Sequence, residues 1–468
     1  MKHTHLPLKT LALVMAGAFT LSGCQILPNF QSPKAPIPEK FATPISEAPA
    51  AVDIGWREFF QNPELQQVIE QALVNNRDLK ATALRIEEAR ALYGIQRADQ
   101  LPTVNATAGG TRTRALLGAN RVEYTSYQVG LGMTAFELDF FGRVKNLSEA
   151  ALSQFFATQQ AQRAAQIALV GEVAKVWLNE RALAEQLQIA ERTLKARQAS
   201  ADLVQQRFDA GISTALEIRQ TETLVQSASA AVLALRRQHA QSTNALALLV
   251  GSSSKLAEQR ALLSEQSITT DISAGLPSDL LAQRPDIRSA EQVLRANQAN
   301  IAAARAAFFP RISLTAGVGL ASSSLNNLFD SGSGVWNFTP SLSLPIFDSG
   351  RNQANLDLAT VRTNIAITNY EKTIQVAFRE VADALDARAT LASEIGAQQA
   401  MRDAQAARLE LAQIRYKNGV ANYLEVLDAE RELYSAEQTL LSTRLLRLTN
   451  AVDLYRSLGG GLNEVSKQ

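Results

Sequence analysis

Residues Arg415 to Leu433 read Arg-Tyr-Lys-Asn-Gly-Val-Ala-Asn-Tyr-Leu-Glu-Val-Leu-Asp-Ala-Glu-Arg-Glu-Leu, a helical pattern, a glycine-bearing break and a second helical pattern. The same design stands at Arg207 to Val225, where Arg207 to Ile218 matches type for type without a gap, and 419 − 211 gives an offset of 208. In each copy the glycine falls where a helix end needs a left-handed residue, a conformation glycine adopts without steric cost. Thr214 with Glu217, and Asn422 with Glu425, have the spacing of a capping box, in which side chains satisfy the orphan amides of a new helix. Each copy predicts a tight helical hairpin.

The offset extends well beyond the hairpins. Asp78 and Asp286, Pro102 and Pro310, Gly142-Arg143 and Gly350-Arg351, and Gly251 and Gly459 all differ by 208. Several ungapped matches at one offset predict an internal tandem repeat, with a first copy over 63–251, a linker over 252–272, a second copy over 273–459 and a tail over 460–468.

The chain starts with Lys2 and Lys9, an apolar run from Leu11 to Leu21, and then Leu21-Ser22-Gly23-Cys24. The run is too short to cross a bilayer, so 1–23 reads as an export signal. The Leu-Ser-Gly-Cys string resembles the bacterial lipoprotein signal, which implies that Cys24 becomes the lipidated first residue; an ordinary secretory signal with an incidental cysteine is the alternative. Gln25 in the next position is, by the same analogy, compatible with delivery to the outer membrane. Cys24 is the single cysteine, so with Cys24 acylated no thiol remains for disulfides, metals or nucleophilic chemistry. Removal of two lysines with the signal leaves 46 − 2 = 44 basic against 45 acidic side chains. Near neutrality, with arginines alternating with acids along helices, gives no footprint for nucleic acid.

Residues 24–62 read as a lipid-anchored extended tether, with Pro28, Pro33, Pro36, Pro38, Pro44 and Pro49 blocking regular hydrogen bonding. Helical patterns follow over Pro63 to Gln100 and, in the second copy, Asp271 to Phe308. Strands are expected about 102–140 and 310–347. Val129, Leu131, Met133 and Ala135 alternate with polar or small residues, as do Ile312 to Leu320 and Trp336 to Leu344. The polar segments Arg112 to Tyr124 and Ser322 to Gly334 are candidate exposed loops. Each strand is about ten residues, the length a tilted strand needs to cross a bilayer.

Arg143 to Phe208 and Arg351 to Tyr416 run without proline. At 1.5 Å per residue each makes a rod of roughly 100 Å, longer than any globular core. Ile374, Phe378, Val381 and Leu385 form a packing stripe, and Val170, Val173 and Trp177 fill three equivalent places. Return helices over Ala215 to Val250 and Tyr423 to Leu458 are half as long, so two short helices stacked end to end can run beside one rod. Four strands cannot close a membrane barrel alone, because open edges in lipid leave unsatisfied amides; several chains must contribute. The fold class is therefore mixed and mainly α, an internal repeat with a shared β-barrel continued by a long α-helical barrel.

The signal with Leu-Ser-Gly-Cys, the repeat, Arg284-Pro285-Asp286-Ile287-Arg288 with Ala290-Glu291, and the Tyr416 to Ala429 hairpin together resemble the outer membrane factor (TolC/OprM-like) family across essentially the whole mature chain. The resemblance implies a homotrimer with a twelve-stranded barrel in outer membrane lipid, a twelve-helix tube through the periplasm and an equatorial collar. It also implies a duct role in a tripartite efflux pump, with a periplasmic adaptor protein and an inner-membrane RND transporter as partners and no cofactor. A type I protein secretion duct is the alternative within the same fold.

Two other classes fit the residues less well. After signal removal His239 is the one histidine, with no second imidazole or thiol to complete a metal site or triad, and it reads as a solvated helix residue. A purely structural coiled-coil lipoprotein has no use for the glycine-rich strands.

Two functional surfaces are expected. The tips Gly211, Ile212, Ser213, Thr214 and Gly419, Val420, Ala421, Asn422 are candidate adaptor contacts, or capped turns and nothing more. Just inside the second tip, Leu424, Asp428 and Arg431 share a helical face, whereas the first copy has Gln220 and Thr223 in place of the charges. By resemblance, Leu424, Glu425, Asp428 and Arg431 form the periplasmic gate; a solvated ion pair is the alternative.

Overall fold

The computed structural model describes residues 33–41, 48–118, 120–251, 263, 268–269 and 272–466. The signal, Cys24 and Gln25 lie outside them. Twelve elements recur in pairs: α1 (Trp56–Phe59) precedes α2 (Pro63–Asn75), α3 (Arg77–Ala98), β1 (Val104–Leu117), β2 (Asn120–Leu138), α4 (Arg143–Asp209) and α5 (Ala215–Val250). The second series is α6 (Asp279–Gln283), α7 (Pro285–Ala306), β3 (Arg311–Ser322), β4 (Gly334–Ser343), α8 (Arg351–Lys417) and α9 (Tyr423–Ser457), with a short 3-10 turn at Leu325–Asn327. Both long helices have 67 residues, and 143 + 208 = 351 and 209 + 208 = 417. Three glycine pairs at the same offset share left-handed backbone: Gly142 and Gly350, Gly211 and Gly419, Gly251 and Gly459.

The chain divides into two compact units, one containing Arg85–Gln159 and Ser289–Glu371, the other Ala35–Leu84, Gln160–Arg288 and Lys372–Gln468. The first unit holds a single antiparallel sheet in the order β1-β2-β3-β4. Its hairpin β1–β2 is longer than the sequence pattern predicts. Arg112 to Tyr124 is not an exposed loop: Arg112 pairs with Thr125, Thr113 with Tyr124 and Arg114 with Glu123. Opposite charges and β-branched residues in facing positions favour pairing there, and the strands meet near Gly118. Ser322 to Gly334 does contain a connection, entered one residue later than expected because Ser322 is still strand.

Alternation puts apolar side chains on one face of this sheet. Ala106, Leu131, Val318 and Trp336 form one cross-strand row, and Val104, Met133, Ala316 and Phe338 the next. Between Met133 and Phe136 the register shifts by a bulge, with Ala135 at φ 51 and its amide donating to Thr315 Oγ1 at 3.0 Å. The extra residue keeps Phe136 and Leu138 on the apolar face. Ala135, which the simple alternation assigns to that face, is the bulge itself. The other face carries Asn105, Thr107, Gln128, Thr315, Asn337 and Thr339, with Gly130 opposite Gly319 and Gly132 opposite Gly317.

The second unit holds the main core. Phe59, Phe60, Leu65 and Ile69 are at most 1% exposed, each contributing about 1.5–3 kcal/mol. Phe59 stacks on Tyr455 at 3.9 Å, and the Tyr455 hydroxyl donates to Ile54 O. Residues 50–62 are thus packed, where an extended tether is expected up to 62. Val170, Val173, Trp177, Ile374, Val381 and Leu385 are buried as the stripe predicts.

The short helices differ from expectation: each is broken, and in the second copy helix starts at Asp279 rather than at Asp271. Asn76 separates α2 from α3, and Arg284 separates α6 from α7, where Pro285 occupies the first helical position. These two residues are 208 apart and do the same job. The Asn76 amide donates to Leu249 O at 2.9 Å, and Arg284 donates to Ser457 O at 3.1 Å. Each side chain satisfies a carbonyl at the end of a return helix, so α5 meets α3, and α9 meets α7, end to end. Arg284 is further held by Asp286 at 2.6 Å and Glu380 at 2.8 Å. Burial works against its charge, but these carboxylates raise its pKa.

Candidate functional site

Both hairpin tips close in the same way. Ile212 N donates to Arg207 O and Gly211 N to Phe208 O; Val420 N donates to Arg415 O and Gly419 N to Tyr416 O. This is the Schellman arrangement. A Cβ at either glycine meets nothing within 4 Å, so glycine is required there by positive φ alone. Just past each glycine the tips present apolar side chains to solvent. Ile212 and Val420, 208 apart, are 68% and 71% exposed, and Leu216 and Leu424, again 208 apart, are 67% and 50% exposed.

The tips differ in their caps. At the first, Thr214 and Glu217 form the complete reciprocal box, and Ser213 Oγ also donates to the Glu217 carboxylate. At the second, the Asn422 side chain accepts from Glu425 N at 3.3 Å, but the Glu425 carboxylate turns to Arg415, 3.5 Å away. Behind the tips Val204, Ala412, Tyr416, Tyr423, Val426, Leu427 and Ala429 form one apolar cluster. Arg207 lies over the Tyr416 ring at 4.7 Å, and Tyr416 packs on Tyr423 at 5.1 Å.

The start of α9 has two faces. Leu424, Glu425, Asp428 and Arg431 are exposed or half-exposed, and Arg431 reaches Asp428 at 3.4 Å and Glu432 at 3.5 Å. The opposite face buries Tyr423, Val426, Leu427 and Glu430. Burial raises the Tyr423 hydroxyl to about 12. Burial also pushes the Glu430 carboxyl up, against the pull of Arg197 on α4. Glu430 Oε2 and Arg197 Nε are both buried without a hydrogen-bond partner. Sequence reasoning missed this group, although the spacing of Tyr423, Val426 and Glu430 by three and four marks the buried face.

The apolar face of the sheet is a third surface. Leu131 is 54%, Val318 65%, Trp336 79%, Phe338 60% and Leu342 65% exposed, so none of the described residues covers it, and β1 and β4 are open edges of the described sheet. The matching polar and small-residue face completes the signature of a sheet with lipid on one side and water on the other. Among the described residues no helix is long and apolar enough to cross a membrane.

His239 is not simply solvated. Its Nε2 lies 2.7 Å from Glu180 Oε1, and Arg181 Nε binds the other oxygen of that buried carboxylate at 2.5 Å. A buried charge needs such partners, so His239 serves the packing of α5 on α4. Among the described residues there is no group of three or more His, Cys, Asp or Glu arranged to hold a metal ion.

The sequence model of the family described as "Outer membrane efflux protein" matches residues 68–252 and 276–460. The chain is 44% identical over 449 residues to the "Cation efflux system protein CusC" of Escherichia coli O6:H1 strain CFT073, covering 95% of this chain and 97% of that protein. It is 44% identical over 469 residues to the "Solvent efflux pump outer membrane protein SrpC" of Pseudomonas putida, covering 97% and 99%. It is also similar to the crystal structure of the open state of the Neisseria gonorrhoeae MtrE outer membrane channel, with a TM-score of 0.86, 42% identity, and 95% and 100% of the two chains covered.

Proposed function

This chain belongs to the outer membrane efflux protein family, and on that premise we propose that three copies assemble into one duct whose wall is built from two copies of a repeated unit per chain. The protein is an outer membrane channel of an efflux system. The observation that carries the trimeric reading is the four-stranded sheet with an uncovered apolar face and two open edges. Such edges are unsustainable in lipid, and pairing β4 of one copy with β1 of the next removes them. Three sheets of four strands give twelve, and the small and polar face lines the lumen.

The long helices α4 and α8, with the end-to-end pairs α3–α5 and α7–α9, extend that wall through the periplasm. A periplasmic adaptor docks on the exposed apolar tips at Ile212 and Val420, and an inner-membrane RND transporter loads the duct. Leu424, Glu425, Asp428 and Arg431 form its closure. No chemical step is required of the protein. Relatives matched over nearly their whole length are named for a cation pump and a solvent pump, so the fold by itself does not name the cargo.

The test pairs conductance with transport. Purified protein in planar bilayers should give discrete channels, and a deletion strain should accumulate small toxic molecules while secreting its exported proteins normally. Loss of a secreted protein with unchanged accumulation would assign the duct to type I secretion instead.

A further inference from the structure

The β1–β2 hairpin extends past the four-stranded sheet. β3 ends at Ser322 opposite Tyr127, yet β1 and β2 stay paired from Gly110–Tyr127 out to Leu117–Asn120. Directly opposed residues, and residues two apart along a strand, share a face. Following the apolar face outward therefore gives Val104 with Met133, Ala106 with Leu131, Ala108 with Val129, Gly110 with Tyr127, Arg112 with Thr125, Arg114 with Glu123 and Leu116 with Arg121. The lipid side changes from aliphatic to aromatic to basic within a few residues, the profile of a membrane–water interface. At the boundary Tyr127 lies across Gly110, where an added Cβ would sit 3.1 Å from its ring. The other face of the ribbon holds Thr113, Ala115, Val122 and Tyr124, with no charge.

Which rim this is follows from the connections. α3 leads into β1, β2 into α4, α7 into β3 and β4 into α8, and the register places all four of these strand ends at the opposite end of the sheet. With the helices on the periplasmic side, the basic ribbon faces the external leaflet.

We propose that Arg112, Arg114 and Arg121 bind the phosphate groups of an anionic glycolipid of the outer leaflet. This rests on the reading of the sheet as part of a membrane-spanning barrel. Arg112 and Arg114 side chains are 74% and 66% exposed and share one carboxylate, Glu123, at 2.9 and 2.5 Å; Arg121 is exposed. Three cations against one carboxylate leave 3 − 1 = +2 on a face continuous with the lipid-facing band. Each shared guanidinium keeps donors free, and its planar fork suits phosphate oxygens. Arg112 is two residues beyond the Tyr127 row, about 7 Å along the strand, the depth at which phosphorylated sugars of a lipid in contact with Val129 and Leu131 would lie. Glu123 then sets the strength of the site by competing for two of its three arginines.

The test uses the full-length protein reconstituted in bilayer discs, with bisphosphorylated lipid A as probe, its dephosphorylated form and inorganic phosphate as comparisons, and bound lipid counted by native mass spectrometry. Wild type should retain the phosphorylated lipid and neither comparison. The Arg112→Gln, Arg114→Gln, Arg121→Gln triple variant should retain at least about tenfold less, since each basic group near a membrane surface is worth roughly fivefold. Glu123→Gln should retain more than wild type. Equal retention by wild type and the triple variant, or of both lipid forms by wild type, overturns the proposal. Channel formation is recorded on the same samples: if wild type forms no channels in any bilayer, the barrel reading fails and the proposal falls with it, whereas normal channels with equal retention reject the lipid site alone.

Discussion

Arg431 places Nη2 3.4 Å from Asp428 Oδ1, one turn back on the face of α9 that looks away from the buried Val426 and Leu427. In a single chain such a pair contributes only about 0.2–0.5 kcal/mol. In the proposed trimer three Asp428 carboxylates would come together around one axis and repel one another, so closure would be held by other contacts or by bound cations. Asp428→Ala with Arg431→Ser should raise single-channel conductance several-fold while leaving the thermal stability of the trimer within experimental error. Wild-type conductance in the double variant would remove the pair from the gate.

Much of this was legible in the sequence because it depends on local rules. Gly211 and Gly419 announce left-handed helix ends, and α4, α5, α8 and α9 begin where the caps and glycines place them, to within two residues at their ends. What stayed hidden needs contacts distant in sequence. The break at Arg284 has a local mark in Pro285, but the one at Asn76 has none, and both side chains reach carbonyls 173 residues away. The bulge at Ala135 is set by its partner strand, and Arg112 to Tyr124 looks like a loop until Glu123 is seen between two arginines.

The β2–β3 contact gives a sharp steric prediction. A Cβ on Gly319 would lie 2.3 Å from Val129 O and 2.7 Å from Gly130 Cα, distances backbone atoms do not tolerate. Gly319→Val should abolish heat-resistant trimers in the outer membrane. Gly334→Val, where nothing stands within 4 Å, should assemble normally. Equal trimer yields from the two variants would show that the close strand approach is not needed.

Glu430 makes the hairpin sensitive to pH. Burial raises its carboxyl above the ordinary value, so the protonated form is the one the fold prefers. Its contribution to stability is fully present below the ordinary carboxylate range and is lost as pH rises through the raised folded-state value. Protection factors of the α9 amides near the tip, read by hydrogen exchange, should therefore increase on acidification towards the ordinary carboxylate range. Glu430→Gln should hold the protected level throughout. Parallel pH profiles for the two proteins would sink this account.

We propose that lipidation at Cys24 aids placement without holding the protein in the membrane. Acyl anchors of one or several chains fall short of the effectively irreversible insertion of a membrane-spanning structure such as a closed barrel. Cys24→Ala, exported with a cleavable secretory signal, should leave folded trimers in the membrane fraction. Recovery of all folded trimers as soluble protein would reverse the order of importance.

The tips allow a test that separates docking from folding. At the first tip Ser213 Oγ bonds the Glu217 carboxylate, so replacing Ser213 removes a cap contact as well as adding bulk; at the second, Asn422 caps Glu425 N. Ser213→Ala serves as the control for the lost bond, at about 0.5–1.5 kcal/mol, and should leave efflux intact because Thr214 still caps the helix. Ser213→Trp with Ala421→Trp adds bulk beside the exposed Ile212 and Val420 while leaving Gly211 and Gly419 to make the turns. If the tips are the adaptor surface, this variant should form normal trimers and normal channels in bilayers yet lose drug efflux in cells, with adaptor co-purification falling at least tenfold, a loss of about 1.4 kcal/mol. If the apolar residues are exposed only because each hairpin ends there, efflux will equal that of Ser213→Ala, and the docking surface must be sought along the helices rather than at their ends.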